Sequence, residues 1–78
     1  MNPRVKTVST LPAMKLQLEF LDGRRATFDV SPFIDYPAFA PLKDPAYFNR
    51  AVVDHGTVAW PGGLDFDPDT LYLDSQNS

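Results

Sequence analysis

The chain has 78 residues, a formal net charge of −3, 44% hydrophobic residues and no cysteine. This composition fits one small globular domain, and the lack of cysteine excludes disulfide bonds and thiolate metal sites as sources of stability. The negative net charge disfavours a general affinity for nucleic-acid backbones. No apolar run resembles a signal peptide or a membrane span, so we expect a cytoplasmic protein.

The first part of the chain predicts three strands. Residues 4–10 are rich in β-branched side chains but alternate poorly, which is typical of an edge or bulged strand ended by Leu11 and Pro12. Apolar and polar residues then alternate over residues 14–20 and again over residues 25–30. This is the period of a strand with one buried face.

The turn between the second and third strands sets their register. A two-residue Asp22-Gly23 turn would place apolar side chains opposite polar ones, which is costly when one face is buried. A three-residue loop over residues 21–23, with Gly23 at positive φ, instead pairs Leu18 with Ala26. The sequence therefore predicts the bulged three-residue loop.

One repeated sequence pattern indicates three short helices. Ser31, Asp44 and Asp67 each place a capping side chain directly before a proline at the first helical position. Helices this short do not persist alone, so their apolar side chains must pack on a sheet. The expected helices span residues 32–36, 45–49 and 68–73.

A second hairpin is predicted over residues 51–60. Its turn is His55-Gly56, where the glycine allows positive φ, and Pro61 ends the second arm. Together these elements predict an α+β fold, with an antiparallel sheet of about three to five strands from two hairpins and short proline-initiated helices packed on one face. We expect one domain over residues 1–78, with its core over about residues 4–73 and a frayed tail over residues 74–78.

The acidic run near the C-terminus has two interpretations. Asp65, Asp67 and Asp69 match the first half of a calcium-binding loop. Counting from Asp65, however, the glycine and the glutamate that such a loop requires are replaced by Thr70 and Gln76. In the structural interpretation Asp67 caps the last helix and Asp69 interacts favourably with the positive end of that helix's dipole. Asp65 then stabilises the preceding turn. The alternative is a metal-dependent accessory protein or a small enzyme that uses the three carboxylates.

The other polar residues form no recognisable catalytic set, so we expect neither enzymatic activity nor a cofactor. His55 is the single histidine and lies at a predicted turn, where we expect it to be exposed. Its neighbour Asp54 is expected on the opposite face of the strand. Arg24 and Arg25 are expected at a solvated hairpin tip.

The aromatic residues also have two interpretations. Trp60, Tyr72, Tyr36 and Tyr47 could form an exposed recognition patch, since aromatic side chains dominate binding hot spots. Alternatively they lie in the core, because a domain this small needs its aromatic residues inside. The first edge strand is a second candidate contact, through strand addition.

The whole pattern resembles a small bacterial family. The motifs are L-x-L-x-F-x-D-G from Leu16 to Gly23, F-D-V over residues 28–30, F-x-x-L-x-D-x-x-x-F over residues 39–48 and W-x-x-G-x-D-x-x-P-D-x-L-Y from Trp60 to Tyr72. Their order and spacing, over about residues 4–72, are similar to those of domain-of-unknown-function family 2442. The resemblance implies a short α+β protein with an N-terminal antiparallel sheet and no established catalytic residues.

The resemblance also implies a function. Some relatives carry this domain ahead of a helix-turn-helix segment, and many are encoded beside another small protein in a proposed toxin–antitoxin pair. Our first hypothesis is therefore a non-catalytic protein-binding or regulatory module, antitoxin-like, whose acidic charge would suit a small basic partner. We expect Trp60, Asp65, Tyr72 and Tyr36 to contact that partner, an edge strand to allow homo-oligomers, and no direct binding to nucleic acid or membrane.

Overall fold

Residues 2–78 are described by a computed structural model, in which two antiparallel sheets surround one core. The elements are β1 (Val5–Leu11), β2 (Lys15–Phe20), β3 (Arg25–Asp29), α1 (Pro45–Phe48), β4 (Val52–Asp54), β5 (Thr57–Trp60), β6 (Leu64–Asp65), α2 (Pro68–Asp74) and β7 (Gln76–Asn77). The first sheet has the order β1-β2-β3-β7 and the second β4-β5-β6. The predicted α+β class is confirmed, with the strands divided between two sheets.

The β2–β3 hairpin has the predicted three-residue loop. Gly23 adopts a φ of 89°, and its amide donates to the Phe20 carbonyl at 2.9 Å. The Phe20 amide donates to the Arg24 carbonyl at 2.8 Å, and Leu18 pairs with Ala26. Both Leu18 and Ala26 are buried, so this register keeps the apolar side chains of both strands on one face.

β1 is the edge strand of the first sheet, as predicted. Its pairing with β2 shifts between Val5 and Thr7, which is the expected irregularity. Its outer edge lies beside the second hairpin, where the Val5 amide donates to the Gly56 carbonyl at 2.9 Å. Further along, the Thr10 hydroxyl donates to the side chain of Asn49 at 3.1 Å. The first contact joins β1 to the turn of the second hairpin, the second joins β1 to the residue that ends α1, and both cover part of the edge.

The second predicted hairpin is formed by β4 and β5. Its turn residues His55 and Gly56 have φ angles of 51° and 77°, the geometry that matches the right-handed twist of paired strands. Val52 pairs with Ala59, and β5 ends directly before Pro61. β6 then adds a third strand on the other side of β5.

The two α-helices begin at the predicted prolines. Asp44 caps α1 as expected, because its carboxylate accepts a hydrogen bond from the Ala46 amide at 3.0 Å. Asp67 occupies the corresponding position before α2, but its side chain accepts from the Thr70 hydroxyl at 3.3 Å rather than from a backbone amide. In the part of the chain that the structure describes, no helix has the length and apolar character needed to cross a membrane.

The segment between β3 and α1 differs from the expectation. It forms two 3-10 helices, Ser31–Phe33 and Pro37–Lys43, instead of one helix over residues 32–36. Ser31 is not a cap, because its hydroxyl and amide donate to the Asp29 carboxylate at 2.7 and 3.0 Å. These two bonds, the hydroxyl first, lower the pKa of Asp29. The second helix escaped sequence analysis because its prolines interrupt the periodicity by which helices are recognised.

The C-terminal residues are ordered, which corrects the expectation of a frayed tail over residues 74–78. Asn77 in β7 pairs with Ala26 in β3, and the Ser78 amide donates to the Arg25 carbonyl at 3.1 Å. A two-residue polar strand has no hydrophobic pattern of its own, so its pairing depends on distant residues that local sequence does not reveal.

The core lies between the inner faces of the two sheets and is closed by the helices. Its members are buried side chains, and removal of each from water contributes about 1.5–3 kcal/mol when the side chain is large. The first sheet supplies Val5, Leu16, Leu18, Phe20, Ala26 and Phe28, the second sheet Val58 and Trp60, and the other segments Val30, Leu42, Phe48, Phe66 and Leu71.

Gly56→Ala is expected to destabilise the protein more than Gly23→Ala. Both glycines have positive φ, so alanine at either position costs about 1–2 kcal/mol of unfolding free energy. At Gly56 the new Cβ would also lie 2.8 Å from the Cβ of Arg4, whereas nothing lies within 4 Å at Gly23. Urea unfolding should therefore show the lower midpoint for Gly56→Ala; equal midpoints would contradict a close packing of Arg4 on this turn.

Candidate functional site

Trp60, one of the predicted contact residues, lies in the core. Its side chain is 3% exposed, and its indole Nε1 donates to the Phe48 carbonyl at 2.8 Å. Its ring packs edge-on against Phe66 with 5.8 Å between the centroids. Trp60 therefore supports the surface above it and offers almost no area of its own to a partner.

Tyr36 lies on an exposed aromatic surface built by the two 3-10 helices. Its side chain is 59% exposed and tilts against Phe33, with 6.4 Å between the ring centroids. Beneath it, Phe33 packs edge-on at 5.4 Å from Phe66, and Phe39 stacks on Phe66 at 4.6 Å. We call the surface formed by Phe33, Tyr36 and Phe39 the aromatic ridge.

The aromatic ridge is attached by ring packing rather than by hydrogen bonds. In the described part of the chain, no hydrogen bond joins residues 32–43 to either sheet. Each aromatic pair contributes about 0.5–1.5 kcal/mol beyond the area that it buries, so the contacts with Phe66 account for much of the attachment. Tyr36 is therefore presented to solvent on a packed aromatic base.

Asp65 lies on a second exposed surface, the outer face of the three-stranded sheet. Cross-strand pairing places Val52, Ala59 and Asp65 in one row on this face. Because side chains alternate along a strand, Asp54 and Pro61 lie on the same face. A shallow depression lies beside Asp65, and its lining residues are Arg50, Val52, Val53, Asp54, Ala59, Trp60 and Pro61. We call this surface the hairpin face; it comprises Arg50, Val52, Asp54, Ala59, Pro61 and Asp65.

Tyr72 belongs to a polar cluster that joins the β2–β3 hairpin tip to α2. Its hydroxyl donates to Asp22 Oδ2 at 2.8 Å, and its ring packs edge-on against Phe20 with 4.7 Å between the centroids. The Arg24 guanidinium lies over the Tyr72 ring, 4.7 Å from its centroid, and donates to the Tyr72 carbonyl at 2.5 Å. We call the cluster of Asp22, Arg24 and Tyr72 the clasp.

Arg24 in the clasp also holds the C-terminal segment. Its guanidinium donates to the Ser75 carbonyl at 3.0 Å and to Asn77 Oδ1 at 2.6 Å. The carbonyls of Tyr72 and Ser75 lie at the end of α2, where helical partners are missing and a cation is favourable. The expectation of a solvated Arg24-Arg25 tip is thus wrong for Arg24, which is half-buried, whereas Arg25 is exposed.

The clasp shifts two pKa values. Hydrogen bonds from the Arg24 amide and then from the Tyr72 hydroxyl lower the pKa of Asp22 below its usual 3.8. The bond to Asp22 in turn raises the pKa of Tyr72 above its usual 10.0. Both shifts favour an ionised carboxylate that accepts from a neutral phenol, so the clasp is complete at neutral pH.

The remaining polar candidates do not converge on one centre. His55 is exposed at the turn, as predicted, but its Nε2 lies 3.6 Å from Asp54 Oδ1. The positive φ of His55 brings the two neighbours together, so the prediction that they lie on opposite faces was wrong. Among residues 2–78, no three side chains of His, Cys, Asp or Glu could hold a metal ion. The run from Asp65 to Asp69 therefore gives no support to the cation-site alternative.

The predicted contact residues occupy separate parts of the molecule. Tyr36, Asp65 and Tyr72 belong to the aromatic ridge, the hairpin face and the clasp, and no hydrogen bond or ring contact joins any two of them within the described chain. Sequence analysis missed Val52 and the bonding role of Arg24. A signal for Val52 was present, because two consecutive valines in a strand must point to opposite faces, and one of them faces outward.

Comparison with known proteins identifies the family. The family model described as "Protein of unknown function (DUF2442)" matches residues 5–77, so the chain belongs to this family. The resemblance that the motifs suggested is thereby confirmed. A search of curated proteins found no match.

A solved structure from Nitrosomonas europaea, described as a candidate DNA-binding protein, is similar to this chain. The two share 26% sequence identity and superpose with a TM-score of 0.85. The similarity covers 96% of this chain and 50% of the other, so this chain spans about half the length of that protein.

Replacement of Arg24 by alanine is expected to lower the unfolding free energy by about 2 kcal/mol. The change removes three hydrogen bonds from a charged donor, which are stronger than neutral bonds, although partial exposure of Arg24 weakens them. Arg25→Ala is the matched control and should change the unfolding free energy by less than about 0.5 kcal/mol. Chemical denaturation measures the unfolding free energy of both variants. Amide exchange at residues 75–78 should be faster in Arg24→Ala. Equal stability of the two variants would contradict a stabilising role of the clasp.

Proposed function

We propose that this member of the DUF2442 family is a non-catalytic protein-binding module with a regulatory role, and that its partner docks on the aromatic ridge. The observation that carries the proposal is the 59% exposure of Tyr36, a large aromatic side chain on a packed base. Aromatic side chains of this kind dominate the energetics of protein interfaces when a partner covers them.

The surroundings of Tyr36 suit an interface anchor. Pro37 and Ala38 follow it and are also exposed, so the surface continues as a short apolar stretch. Stacking on Phe66 fixes the base of the ridge, and a rigid aromatic surface loses little conformational entropy when a partner binds. These features support docking without a large rearrangement of this chain.

Charge supports a basic partner. The chain carries a net charge of −3, and Asp35, directly before Tyr36, is exposed. Opposite charge on the partner would speed association at low salt and slow it when salt is added. The more specific hypothesis is an antitoxin-like role, in which the partner is the small protein encoded by a neighbouring gene. It rests on the family resemblance of the motifs.

DNA binding is the second candidate function, because the similar Nitrosomonas europaea protein is described as a candidate DNA-binding protein. This chain covers half of that protein, so a DNA contact there need not involve the shared half. On the outer face of the first sheet, Lys15 pairs with Asp29 and Arg25 with Glu19. Cations that each face a carboxylate across the strands form no continuous basic patch for phosphates.

Tyr36→Ser is expected to weaken the complex at least about tenfold. An aromatic side chain that a partner covers on binding contributes about 2 kcal/mol or more to the binding free energy. Stability should change by less than about 0.5 kcal/mol, since the side chain is exposed. Co-expression with the neighbouring gene product and a tagged pull-down measure the complex, and thermal unfolding measures stability.

Leu73→Ser is the matched control for this test. Leu73 is 67% exposed and lies in α2, so its replacement removes apolar surface outside the aromatic ridge. We expect this variant to retain the complex. A complex that survives Tyr36→Ser would place the docking site elsewhere, and failure of the wild-type chain to form any complex would contradict the partner hypothesis.

The wild-type chain is expected not to retard duplex DNA in a gel, even at about 50 mM salt, where phosphate contacts are strongest. The physical reason is its net charge of −3 and the pairing of its cations with carboxylates on the first sheet. A retarded band that weakens as salt is added would favour the DNA-binding candidate over the proposed function.

A further inference from the structure

Tyr36 presents an open aromatic ring beside an exposed carboxylate. Its side chain is 59% exposed, and in the described part of the chain its one ring contact is with Phe33, at 6.4 Å between the centroids and 48° between the ring planes. Asp35, directly before Tyr36, is exposed as well. An aromatic face is electronegative and a carboxylate is charged, so the two neighbouring residues together attract a cation.

The backbone fixes these two residues relative to each other. The Tyr36 amide donates to the Phe33 carbonyl at 3.1 Å, which closes a turn with Asp35 at its third position. Pro37 follows, and Tyr36 has the extended conformation that a residue before proline prefers, with φ of −72° and ψ of 134°. The Tyr36 carbonyl in turn accepts from the Phe39 amide at 2.9 Å. Binding at this turn therefore costs little conformational entropy.

Asp35 is the carboxylate of this segment that has no internal partner. Residues 29–44 contain three aspartates and one lysine, so their formal charge is −2. Asp29 and Asp44 both accept hydrogen bonds from amides two residues further on. Within the described chain, no hydrogen bond or ion pair involves the Asp35 carboxylate. Consecutive Cα atoms are about 3.8 Å apart, so the charge of Asp35 acts on a cation at Tyr36 well within the Debye length of about 10 Å.

The clasp shows how the same chain combines these groups. There the Arg24 guanidinium lies 4.7 Å from the centroid of the Tyr72 ring, and the Tyr72 hydroxyl donates to Asp22 at 2.8 Å. The cluster thus consists of a carboxylate, an aromatic ring and a guanidinium. At Tyr36 the ring and a neighbouring carboxylate are present, but no cation of the described chain lies over the ring. A guanidinium from outside the chain would complete the same combination.

We propose that the partner contacts the aromatic ridge through an arginine side chain, whose guanidinium stacks on the Tyr36 ring and is attracted by Asp35. This arginine contact rests on the proposed function, since it names the chemistry of the partner that docks there. Arginine suits the position better than lysine, because a planar and weakly hydrated guanidinium stacks on aromatic faces, whereas an ammonium is strongly hydrated. An arginine at the centre of the contact also agrees with a basic partner.

Two peptides of equal charge test the choice of cation. The probes are acetylated and amidated hexapeptides, one of alternating glycine and arginine and the other of alternating glycine and lysine. We expect the arginine peptide to bind the wild-type chain about two- to fivefold more tightly at about 20 mM salt. Titrations followed by NMR measure both dissociation constants, and the largest shifts should fall on the Tyr36 ring and on the amides of Asp35 and Tyr36.

Two variants separate the ring from the charge. Tyr36→Leu keeps an exposed apolar side chain but removes the aromatic face, so it is expected to abolish the preference for arginine, whereas Tyr36→Phe should retain it. Asp35→Asn is expected to weaken the binding of both peptides about two- to fivefold and to leave the preference intact.

Asp54→Asn is the matched control for Asp35→Asn. The Asp54 side chain is 60% exposed on the hairpin face, and its replacement changes the net charge by the same amount. The affinity measured at the Tyr36 ring should therefore stay within about twofold of the wild type.

Equal affinities of the two peptides, shifts centred away from Tyr36, an unchanged preference in Tyr36→Leu or unchanged binding in Asp35→Asn would each overturn the arginine contact. The pull-down separates this result from a failure of the proposed function. A complex that is lost in Tyr36→Ser but retained in Tyr36→Leu would support docking on the aromatic ridge and overturn the arginine contact. Peptides that bind as expected, while the neighbouring gene product forms no complex, would support the arginine contact and contradict that choice of partner.

Discussion

The Phe66 ring joins the two sheets and the 3-10 segment of this fold. It contacts Phe28 of the first sheet at 5.3 Å, Trp60 of the second sheet at 5.8 Å, and Phe33 and Phe39 of the intervening 3-10 segment at 5.4 and 4.6 Å. Its backbone is fixed as well, because its amide donates to the Val58 carbonyl and its carbonyl accepts from the Thr57 hydroxyl. A chain of 78 residues buries a limited fraction of its surface, so one central aromatic contact has a large share in holding the layers together.

This constraint also decides which aromatic side chains remain for recognition. Trp60 is needed beneath the second sheet, and Tyr72 is bound to Asp22 in the clasp, so neither is free to present its ring to a partner. Tyr36 differs because the ring packing of the segment is completed by Phe33 and Phe39. The core therefore does not need the exposed tyrosine ring. An exposed aromatic side chain that does not stabilise the fold is the best candidate for a binding role.

Local sequence predicted the parts of the fold that depend on local rules. The β2–β3 register followed from a two-residue period and from one glycine with positive φ, and the α1 cap followed from Asp44 before a proline. The role of Arg24 could not be predicted in this way, because its acceptors lie 48 to 53 positions further along the chain. The same holds for β7, whose two polar residues become a strand only when β3 is in place. In the candidate site, Tyr36 and Asp65 could be selected from sequence, whereas the strand pairing was needed to show which side of β4 exposes Val52.

The aromatic ridge and the hairpin face are connected through the same central ring. Phe39 of the ridge stacks on Phe66, and Trp60, which lies under the hairpin face, packs edge-on against the same Phe66 ring with 5.8 Å between the centroids. Because packed aromatic layers deform little, the two surfaces keep a fixed relation.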